Sequence, residues 1–258
     1  MTPLPADFLR RPLAHRALHD LAKGRPENSL SAIRAAIAAG YGIEIDLQPS
    51  ADGVPMVFHD YQLERLTGEK GALHLRNAAT LGAIGLAGST HGDTIPTLGE
   101  VLDLVAGQVP LLVEIKDQDG ALGSNVGDLG RATARLLSAY AGPVAVMSFN
   151  PHAMAAFAAH ARDIPLGLTT GRFLQENWPL VPRDRLNELA TIPDFARLGA
   201  SFVSHRSDAL NTPRITDLKA AGAPILCWTI RSPEADTEAR KIADNVTFEG
   251  YLPPVPPL

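Results

Sequence analysis

Short apolar runs alternate with helix-like patterns along most of the chain. Strand-like runs occur near residues 13–16, 42–47, 54–58, 110–116, 143–149, 164–169, 201–205, 224–230 and 245–248. Between most of these runs, apolar residues recur at the spacing of one helix face, as Leu30, Ile33 and Ile37 do. Strands that alternate with helices predict a mainly parallel sheet. About eight principal strands in a chain of 258 residues fit a closed (β/α)8 barrel better than an open sheet.

Helix start signals support the same alternation. Thr97 and Glu100 form a Thr-x-x-Glu capping box ahead of an apolar helix face. Three later junctions, Asn150-Pro151, Thr212-Pro213 and Ser232-Pro233, each place an N-cap residue before a proline suited to the first helical turn. Two of these junctions directly follow a strand-like run, as a strand–helix unit of a barrel requires.

One segment interrupts the pattern after the second strand region. Residues 60–95 show no clear long helix and contain the glycines Gly68, Gly71, Gly82, Gly85, Gly88 and Gly92. We interpret this segment as a small insertion in a single domain that spans residues 1–258. It is either a surface excursion or a cap over the barrel mouth, where active sites of this fold lie.

Composition narrows the class of protein without identifying it. Hydrophobic residues make up 45% and charged residues 20% of the chain, as in ordinary globular proteins. The net charge of −5, with no cluster of Lys or Arg, disfavours nucleic acid binding. The single cysteine, Cys227, excludes an intramolecular disulfide, and we expect a buried, inert thiol. No apolar run is long enough for a signal peptide or a membrane span, so we expect a cytoplasmic protein; the oligomeric state stays open.

Three carboxylates occupy strand-like runs in the first half of the chain. Glu44 and Asp46 are two residues apart, so both side chains point to one face of the sheet, and Glu114 ends a later run. Buried carboxylates are costly without a compensating cation. We therefore predict a metal site, and because the ligands are oxygen atoms only, Mg²⁺ or Ca²⁺ suits it. The alternative is a set of ion pairs with Arg or Lys.

Two histidines, His15 and His59, each follow an apolar strand-like run. Imidazoles are the usual side chains for proton transfer near pH 7, so two of them beside a phosphorus could serve as base and acid. Alternatively, one or both only form hydrogen bonds in the core.

Three further side chains are candidates for substrate binding. Arg16 and Lys116 could hold the oxygens of a phosphate, or could only neutralise nearby carboxylates. Trp228, near a strand end, could form an apolar wall for a substrate or belong to the core.

In their order and spacing these residues resemble the glycerophosphodiester phosphodiesterase family. The matching motifs are His15-Arg16-Ala17, Pro26-Glu27-Asn28-Ser29, Glu44-Ile45-Asp46, Asp52-Gly53, His59-Asp60, Ile95-Pro96-Thr97-Leu98, Glu114-Ile115-Lys116 and Trp228-Thr229. The resemblance is strong over residues 13–116 and traceable to about residue 251. Any one of these tripeptides would be a weak signal, but the combination is specific.

The resemblance implies a TIM barrel with a small insertion after His59. It also implies a divalent ion on Glu44, Asp46 and Glu114, with His15 and His59 as general acid and base. Arg16 and Lys116 would contact the phosphate. The reaction of this family converts a glycerophosphodiester and water to sn-glycerol 3-phosphate and an alcohol.

The sequence departs from the family pattern at several positions. Ala17 replaces the glycine of the first motif, and Ser29 replaces a threonine. Arg231 stands where asparagine is frequent, and the last strand continues Thr247-Phe248-Glu249 where many relatives carry an aspartate after the threonine. These last differences concern the side expected to meet the glycerol or alcohol group, so two other functions stay open. One is a lipid phosphodiesterase similar to lysophospholipase D or sphingomyelinase D, and the other is a catalytically silent barrel that binds a phosphorylated ligand.

Overall fold

All nine strand-like runs are strands in the structure, a computed structural model that describes residues 2–255. The strands are β1 (Leu13–Ala14), β2 (Gly42–Pro49), β3 (Pro55–Val57), β4 (Leu111–Ile115), β5 (Val144–Ser148), β6 (Leu166–Thr170), β7 (Phe202–Arg206), β8 (Ile225–Ile230) and β9 (Asn245–Phe248). Their apolar residues are buried because each strand has neighbours on both faces, which is the pattern of a parallel sheet covered by helices.

Eight of these strands close into a parallel barrel. The order around the barrel is β1, β2, β4, β5, β6, β7, β8 and β9, and β9 pairs again with β1. At the closure, Ala14 of β1 lies opposite Ile43 of β2 on one side and Phe248 of β9 on the other. The remaining strand, β3, is antiparallel to β2. The predicted TIM barrel is therefore confirmed.

Ten α-helices occur among residues 2–255. They are α1 (Asp7–Arg10), α2 (Leu30–Ala39), α3 (Ala78–Leu81), α4 (Leu98–Val105), α5 (Leu129–Leu137), α6 (Pro151–Ala158), α7 (Arg183–Ala190), α8 (Asp194–Leu198), α9 (Pro213–Ala220) and α10 (Pro233–Ala239). The capping box of Thr97 and Glu100 is present at the start of α4. The side chains of Asn150 and Ser232 accept backbone N–H groups as predicted, whereas Thr212 makes no such hydrogen bond.

The amino-terminal end of the barrel is filled by apolar side chains. Helix α1 places Phe8, which is fully buried, beneath the barrel. The cluster around it consists of Leu4, Leu13, Leu112, Ala145, Met147, Phe202 and Leu226. Asn245 fixes α1 in this position, because its side-chain amide donates hydrogen bonds to the carbonyl oxygens of Phe8 and Arg11. The barrel interior at this end is therefore filled by side chains.

The segment 60–95 lies between β3 and α4 and contains only short helical pieces. These are a 3₁₀ turn, Leu73–Leu75, and the four residues of α3. The segment has its own apolar cluster, in which Leu63, Leu73 and Leu81 pack with side chains of the β3 region. Its first residues reach the barrel mouth, where the Tyr61 hydroxyl donates to the Asp117 carbonyl oxygen at 2.7 Å.

Two expectations from composition can be compared with the structure. Cys227 is fully buried in β8, and burial raises the pKa of its thiol to about 12, so the thiol is inert at neutral pH. Among residues 2–255, the helices are all too short or too polar to span a lipid bilayer.

Candidate active site

A cavity of about 160 Å³ lies at the carboxyl ends of the barrel strands. All eight side chains predicted from the sequence line it, namely His15, Arg16, Glu44, Asp46, His59, Glu114, Lys116 and Trp228. The other walls are Met147, Phe149, Thr169, Thr229, Arg231 and Thr247. The structure thus brings together the predicted residues from five strand ends, while the role of each stays a prediction.

Strand register explains why the three carboxylates converge. Glu44 and Asp46 alternate with Ile45 along β2, so their side chains share one face of the sheet. Strand β4 is the parallel neighbour of β2, and Asp46 lies directly opposite Glu114. Because the face that they share lines the cavity, the three carboxylates meet inside the barrel mouth.

The geometry of this acidic cluster fits a hard divalent cation. One oxygen of each carboxylate lies within 4.8 Å of the others, and Glu44, Asp46 and Glu114 are all buried. Oxygens that bind Mg²⁺ or Ca²⁺ lie about 2.0–2.6 Å from the ion, which is compatible with such separations. These three residues therefore could hold a metal ion, and the all-oxygen donor set favours Mg²⁺ or Ca²⁺ over zinc.

The charge balance of the cluster is incomplete at Glu44. It accepts a hydrogen bond from the backbone N–H of Arg16 at 2.9 Å, but within residues 2–255 no Lys or Arg side chain forms an ion pair with it. Burial, together with the charges of Asp46 and Glu114, raises the pKa of Glu44 well above its usual value. A bound cation would remove this penalty, so the electrostatics of the cluster also fit a metal site.

Lys116 holds the other two carboxylates together. Its Nζ lies 2.6 Å from Asp46 Oδ1 and 2.6 Å from Glu114 Oε1. Burial acts to lower the pKa of Lys116, but the two carboxylates outweigh it and keep the pKa above its usual value. Burial likewise acts to raise the pKa of Asp46, whereas the charge of Lys116 and other nearby cations holds that pKa well below its usual range. The side-chain amide of Asn28 adds a hydrogen bond to Asp46 Oδ2 at 2.9 Å.

Arg16 is fixed beside the cavity by a network of carboxylates. Its Nη1 donates to Glu27 Oε1 at 2.9 Å, and its Nε lies 3.6 Å from Asp46 Oδ2. Glu27 also accepts two hydrogen bonds of 2.8 Å from Arg65 of the 60–95 segment. Both predicted phosphate-binding cations, Arg16 and Lys116, are therefore paired with carboxylates in this structure.

The residue after Arg16 adopts an unusual backbone conformation. Ala17 has a φ of 64° and is buried, and its N–H donates to the Glu44 carbonyl oxygen at 3.0 Å. This left-handed conformation costs about 1–2 kcal/mol for a residue with a Cβ, and glycine adopts it freely. The positive φ at this position therefore explains why the family pattern has a glycine where this chain has Ala17.

Each of the two histidines is hydrogen-bonded through Nδ1 to a carboxylate. His59 Nδ1 lies 2.7 Å from Asp60 Oδ1, and Arg65 Nε donates to the other oxygen of Asp60 at 2.6 Å. His15 Nδ1 lies 2.5 Å from Glu249 Oε2. Burial lowers the pKa of His15 below its usual value, against the opposing effect of Glu249, so the neutral imidazole is favoured.

Trp228 belongs to an aromatic half of the barrel mouth. Its ring centroid lies 5.4 Å from that of Phe149, and its indole N–H donates to the Ser204 carbonyl oxygen at 3.0 Å. Phe149 and Trp228 also border a second cavity of about 140 Å³. The other residues that line this second cavity are Gly171, Arg172, Phe173, Leu174, Asn177, Trp178, Arg206 and Asp208. The two cavities are therefore neighbours that share Phe149 and Trp228 as walls.

Sequence reasoning missed several residues that contact the predicted ones. Asn28 and Glu27 lie within a motif that matched the family, but nothing in their spacing indicated contacts with Asp46 and Arg16. Glu249 stands two residues after Thr247, whereas many relatives carry an aspartate directly after the threonine. The only signal for Glu249 was therefore an acidic residue shifted by one position from the family pattern. The aromatic wall formed with Phe149 had no signal in the sequence.

Comparison with known proteins agrees with the motifs. The model of the glycerophosphoryl diester phosphodiesterase family matches residues 15–246. YhdW of Bacillus subtilis, provisionally named a glycerophosphodiester phosphodiesterase, is 25% identical over 227 residues, which are 85% of this chain and 86% of YhdW.

Two solved structures share the fold over nearly the whole chain. A phosphodiesterase of Oleispira antarctica in complex with the product sn-glycerol-3-phosphate has a TM-score of 0.77 and 23% identity, and the match covers 95% of this chain and 94% of that one. A Silicibacter pomeroyi protein, provisionally named a glycerophosphoryl diester phosphodiesterase, has a TM-score of 0.76 and 25% identity, and the match covers 94% of this chain and 93% of that one. The chain therefore belongs to the glycerophosphoryl diester phosphodiesterase family and is a phosphoric diester hydrolase.

Proposed function

We propose that this enzyme hydrolyses glycerophosphodiesters to sn-glycerol 3-phosphate and an alcohol, using a divalent cation and two histidines. The observation that carries the proposal is the convergence of three buried carboxylates with His15 and His59 in one cavity. A binding protein needs neither an acid nor a base, so this set of groups argues against a catalytically silent barrel.

Glu44, Asp46 and Glu114 would hold the cation, Mg²⁺ or Ca²⁺. When bound, the cation would polarise a phosphoryl oxygen and offset the charge that builds on it. The protein's own contribution is to hold the three carboxylates close together in a buried site. Lys116 already draws Asp46 and Glu114 together in this way.

The two histidines would move protons at Nε2, because Nδ1 of each ring is hydrogen-bonded to a carboxylate. The neutral form that burial favours at His15 suits the removal of a proton from the nucleophile, which is water or the glycerol 2-hydroxyl. His59 would then donate a proton to the leaving alkoxide.

Arg16 and Lys116 would contact the non-bridging oxygens of the phosphate. Both line the cavity beside the carboxylate cluster, which supports a role in binding the negative charge of a phosphate diester. Trp228 and Phe149, which border both cavities, would form an apolar wall for one arm of the diester.

Alanine substitutions at the two histidines test their proposed roles. His15→Ala and His59→Ala should each lower kcat on glycerophosphocholine by about 10²- to 10⁴-fold, the usual contribution of an acid or base, without loss of the fold. His160→Ala, at an exposed position outside the cavity, is the matched control and should keep wild-type kcat. Near-wild-type turnover by either active-site variant would refute the role of that histidine.

Metal dependence can be tested by chelation and readdition. Activity should fall to background after treatment with EDTA and return on titration with Mg²⁺ or Ca²⁺, and the response should identify the preferred ion. Full activity of a demonstrably metal-free sample would refute the cation site. Analysis of the products by ³¹P NMR distinguishes attack by water from attack by the glycerol 2-hydroxyl, which forms a cyclic phosphate.

A second candidate function is the cleavage of lysophospholipids or sphingolipids. The aromatic cavity favours it, because Phe149, Phe173 and Trp178 offer apolar contact and Leu174, which also lines the cavity, is 43% exposed. Assays with lysophosphatidylcholine micelles and with water-soluble glycerophosphocholine separate the two functions. A higher kcat/KM on the soluble diester supports the glycerophosphodiester activity, and a higher value on the lipid supports this second candidate.

A further inference from the structure

Three residues that are far apart in the sequence take equivalent positions at neighbouring strand ends. His15 directly follows β1, Glu249 directly follows β9, and Arg231 directly follows β8. The backbone N–H of His15 donates to the Phe248 carbonyl oxygen, and that of Glu249 donates to the Ile230 carbonyl oxygen, both at 2.9 Å. The strand register therefore continues through these three residues and places their side chains side by side.

Both oxygens of the Glu249 carboxylate are engaged. Oε2 lies 2.5 Å from His15 Nδ1, and Oε1 accepts a hydrogen bond from Arg231 Nε at 2.6 Å. The carboxylate is partly buried, with 20% of the side chain exposed, and the His15 side chain is 13% exposed. Arg231, by contrast, has 64% of its side chain in solvent. The short contact with His15 is thus the shielded one and the ion pair with Arg231 is the exposed one.

We infer that Glu249 is a positioning residue, which holds the His15 ring with its proton on Nδ1 and its lone pair on Nε2. A carboxylate can only accept a hydrogen bond, so Nδ1 must be the donor and the neutral ring must keep Nε2 free to accept a proton. This inference rests on the proposed role of His15 as a base. It gives a role to Glu249, which departs from the family pattern, and places Arg231 as the exposed partner of that carboxylate.

The second histidine supports this reading of the geometry. His59 has the same arrangement, in which Asp60 accepts from Nδ1 and Arg65 binds the other carboxylate oxygen. In that case the carboxylate is the next residue in the sequence, whereas Glu249 is separated from His15 by 234 positions. Each imidazole is therefore hydrogen-bonded to a carboxylate that also pairs with an arginine. The carboxylate of Glu249 reaches His15 only because β9 pairs with β1 when the barrel closes.

The alternative is that Glu249 only forms an ion pair with Arg231. An exposed ion pair of this kind contributes little, typically about 0–1 kcal/mol, and would have no effect on the proton position of His15. The two possibilities differ in their effect on kcat and on the tautomer of His15, and both quantities can be measured.

Kinetic measurements on glycerophosphocholine use substitutions at the two partners. Glu249→Gln keeps an oxygen acceptor but removes the charge, and kcat should fall about tenfold; Glu249→Leu removes the acceptor, and kcat should fall about 10²-fold, within the range for a general base. KM should change little in both, because Glu249 acts through His15 rather than on the substrate. Arg231→Gln should lower kcat by less than about threefold. Glu238→Gln, which breaks an exposed pair with Lys241, is the matched control and should leave kcat unchanged.

A second measurement is independent of turnover. Long-range ¹H–¹⁵N NMR correlations of the imidazole should show the proton of His15 on Nδ1 in the wild type, and on both nitrogens in exchange in Glu249→Leu. Wild-type kcat in Glu249→Leu, or a proton on Nε2 in the wild type, would overturn the inference. If His15→Ala kept its activity, the proposed base would be wrong, and the NMR measurement would still decide whether Glu249 sets the tautomer.

Discussion

The substitution Lys116→Met tests the electrostatics of the acidic cluster most directly. It removes an ammonium group that lies 2.6 Å from both Asp46 and Glu114, in a side chain that is 13% exposed, and replaces it with an apolar chain of similar length. Removal of one partner from a buried ion pair costs about 3–5 kcal/mol, because the other charge stays buried without compensation. We therefore expect the metal-free variant at pH 7 to lose about 3–5 kcal/mol in free energy of unfolding.

The same variant should respond more strongly to divalent cations than the wild type does. In the wild type, Lys116 would compete with a cation for the oxygens of Asp46 and Glu114, because its Nζ lies 2.6 Å from an oxygen of each. In the variant those oxygens are free, and a ligand at about one hundred times its Kd adds about 2.7 kcal/mol of stability. Mg²⁺ or Ca²⁺ at that concentration should thus recover about half to nine tenths of the lost stability.

Urea unfolding followed by circular dichroism, in EDTA and in Mg²⁺, measures both effects. Lys219→Met is the matched control, because Lys219 lies at the same distance of 2.6 Å from Asp244 but both side chains are exposed, at 40% and 34%. That control should lose at most about 1 kcal/mol and should show no added response to Mg²⁺. Equal losses in the two variants, or a loss for Lys116→Met below about 1 kcal/mol, would refute the reasoning.

The acid side of the pH profile gives a further check. The pKa of Asp46 is lower in the folded protein than in the unfolded chain, where it is about 3.9. The ionised Asp46 therefore contributes to the free energy of unfolding above about pH 3.9, and this contribution is lost as the pH falls from that value through the pKa of the folded state. The stability difference between wild type and Lys116→Met should accordingly shrink below about pH 4, because the wild type loses the contribution of Asp46 as the unfolded chain becomes protonated, whereas carboxyls that lack Lys116 can be protonated in the folded variant.

Three other predictions follow from features outside the cluster. Thr97→Ala should destabilise the protein by about 1 kcal/mol through loss of the capping box of α4, whereas Thr212→Ala, at an N-cap without a side-chain hydrogen bond, should change the stability much less. Ala17→Gly should stabilise the protein by about 0.5–1 kcal/mol, because relief of the left-handed conformation exceeds the added entropy of the unfolded chain. Burial lowers the pKa of His205 to about 4, below an unfolded value of about 6.5, so the unfolded state binds the proton first and stability should fall by about 3 kcal/mol as the pH drops from 6.5 to 4. His205→Gln should remove this part of the pH dependence. Urea midpoints measure all three effects. The predictions would be contradicted by equal losses at the two threonines, by a less stable Ala17→Gly variant, or by a His205→Gln variant whose stability changes with pH as much as that of the wild type.

The local structure of this protein was readable from its sequence. All nine strands fall where apolar runs lie, and the capping box at Thr97 forms as its two residues predict. The convergence of Glu44, Asp46 and Glu114 was also predictable, since alternate residues of a strand share a face and the carboxyl ends of barrel strands meet at one mouth. These features depend on residues that are close in sequence or on regular strand geometry.

The detailed contacts of the site depended on the closed barrel. Glu249 reaches His15 only because β9 pairs with β1 in a fixed register, which joins residues 234 positions apart. For Lys116 the sequence left open a phosphate contact or the neutralisation of a carboxylate, and only the folded protein shows its Nζ 2.6 Å from both Asp46 and Glu114. Sequence periodicity determines which face of its own strand a side chain occupies, whereas the partner across the barrel is decided by register and closure, which no local pattern encodes.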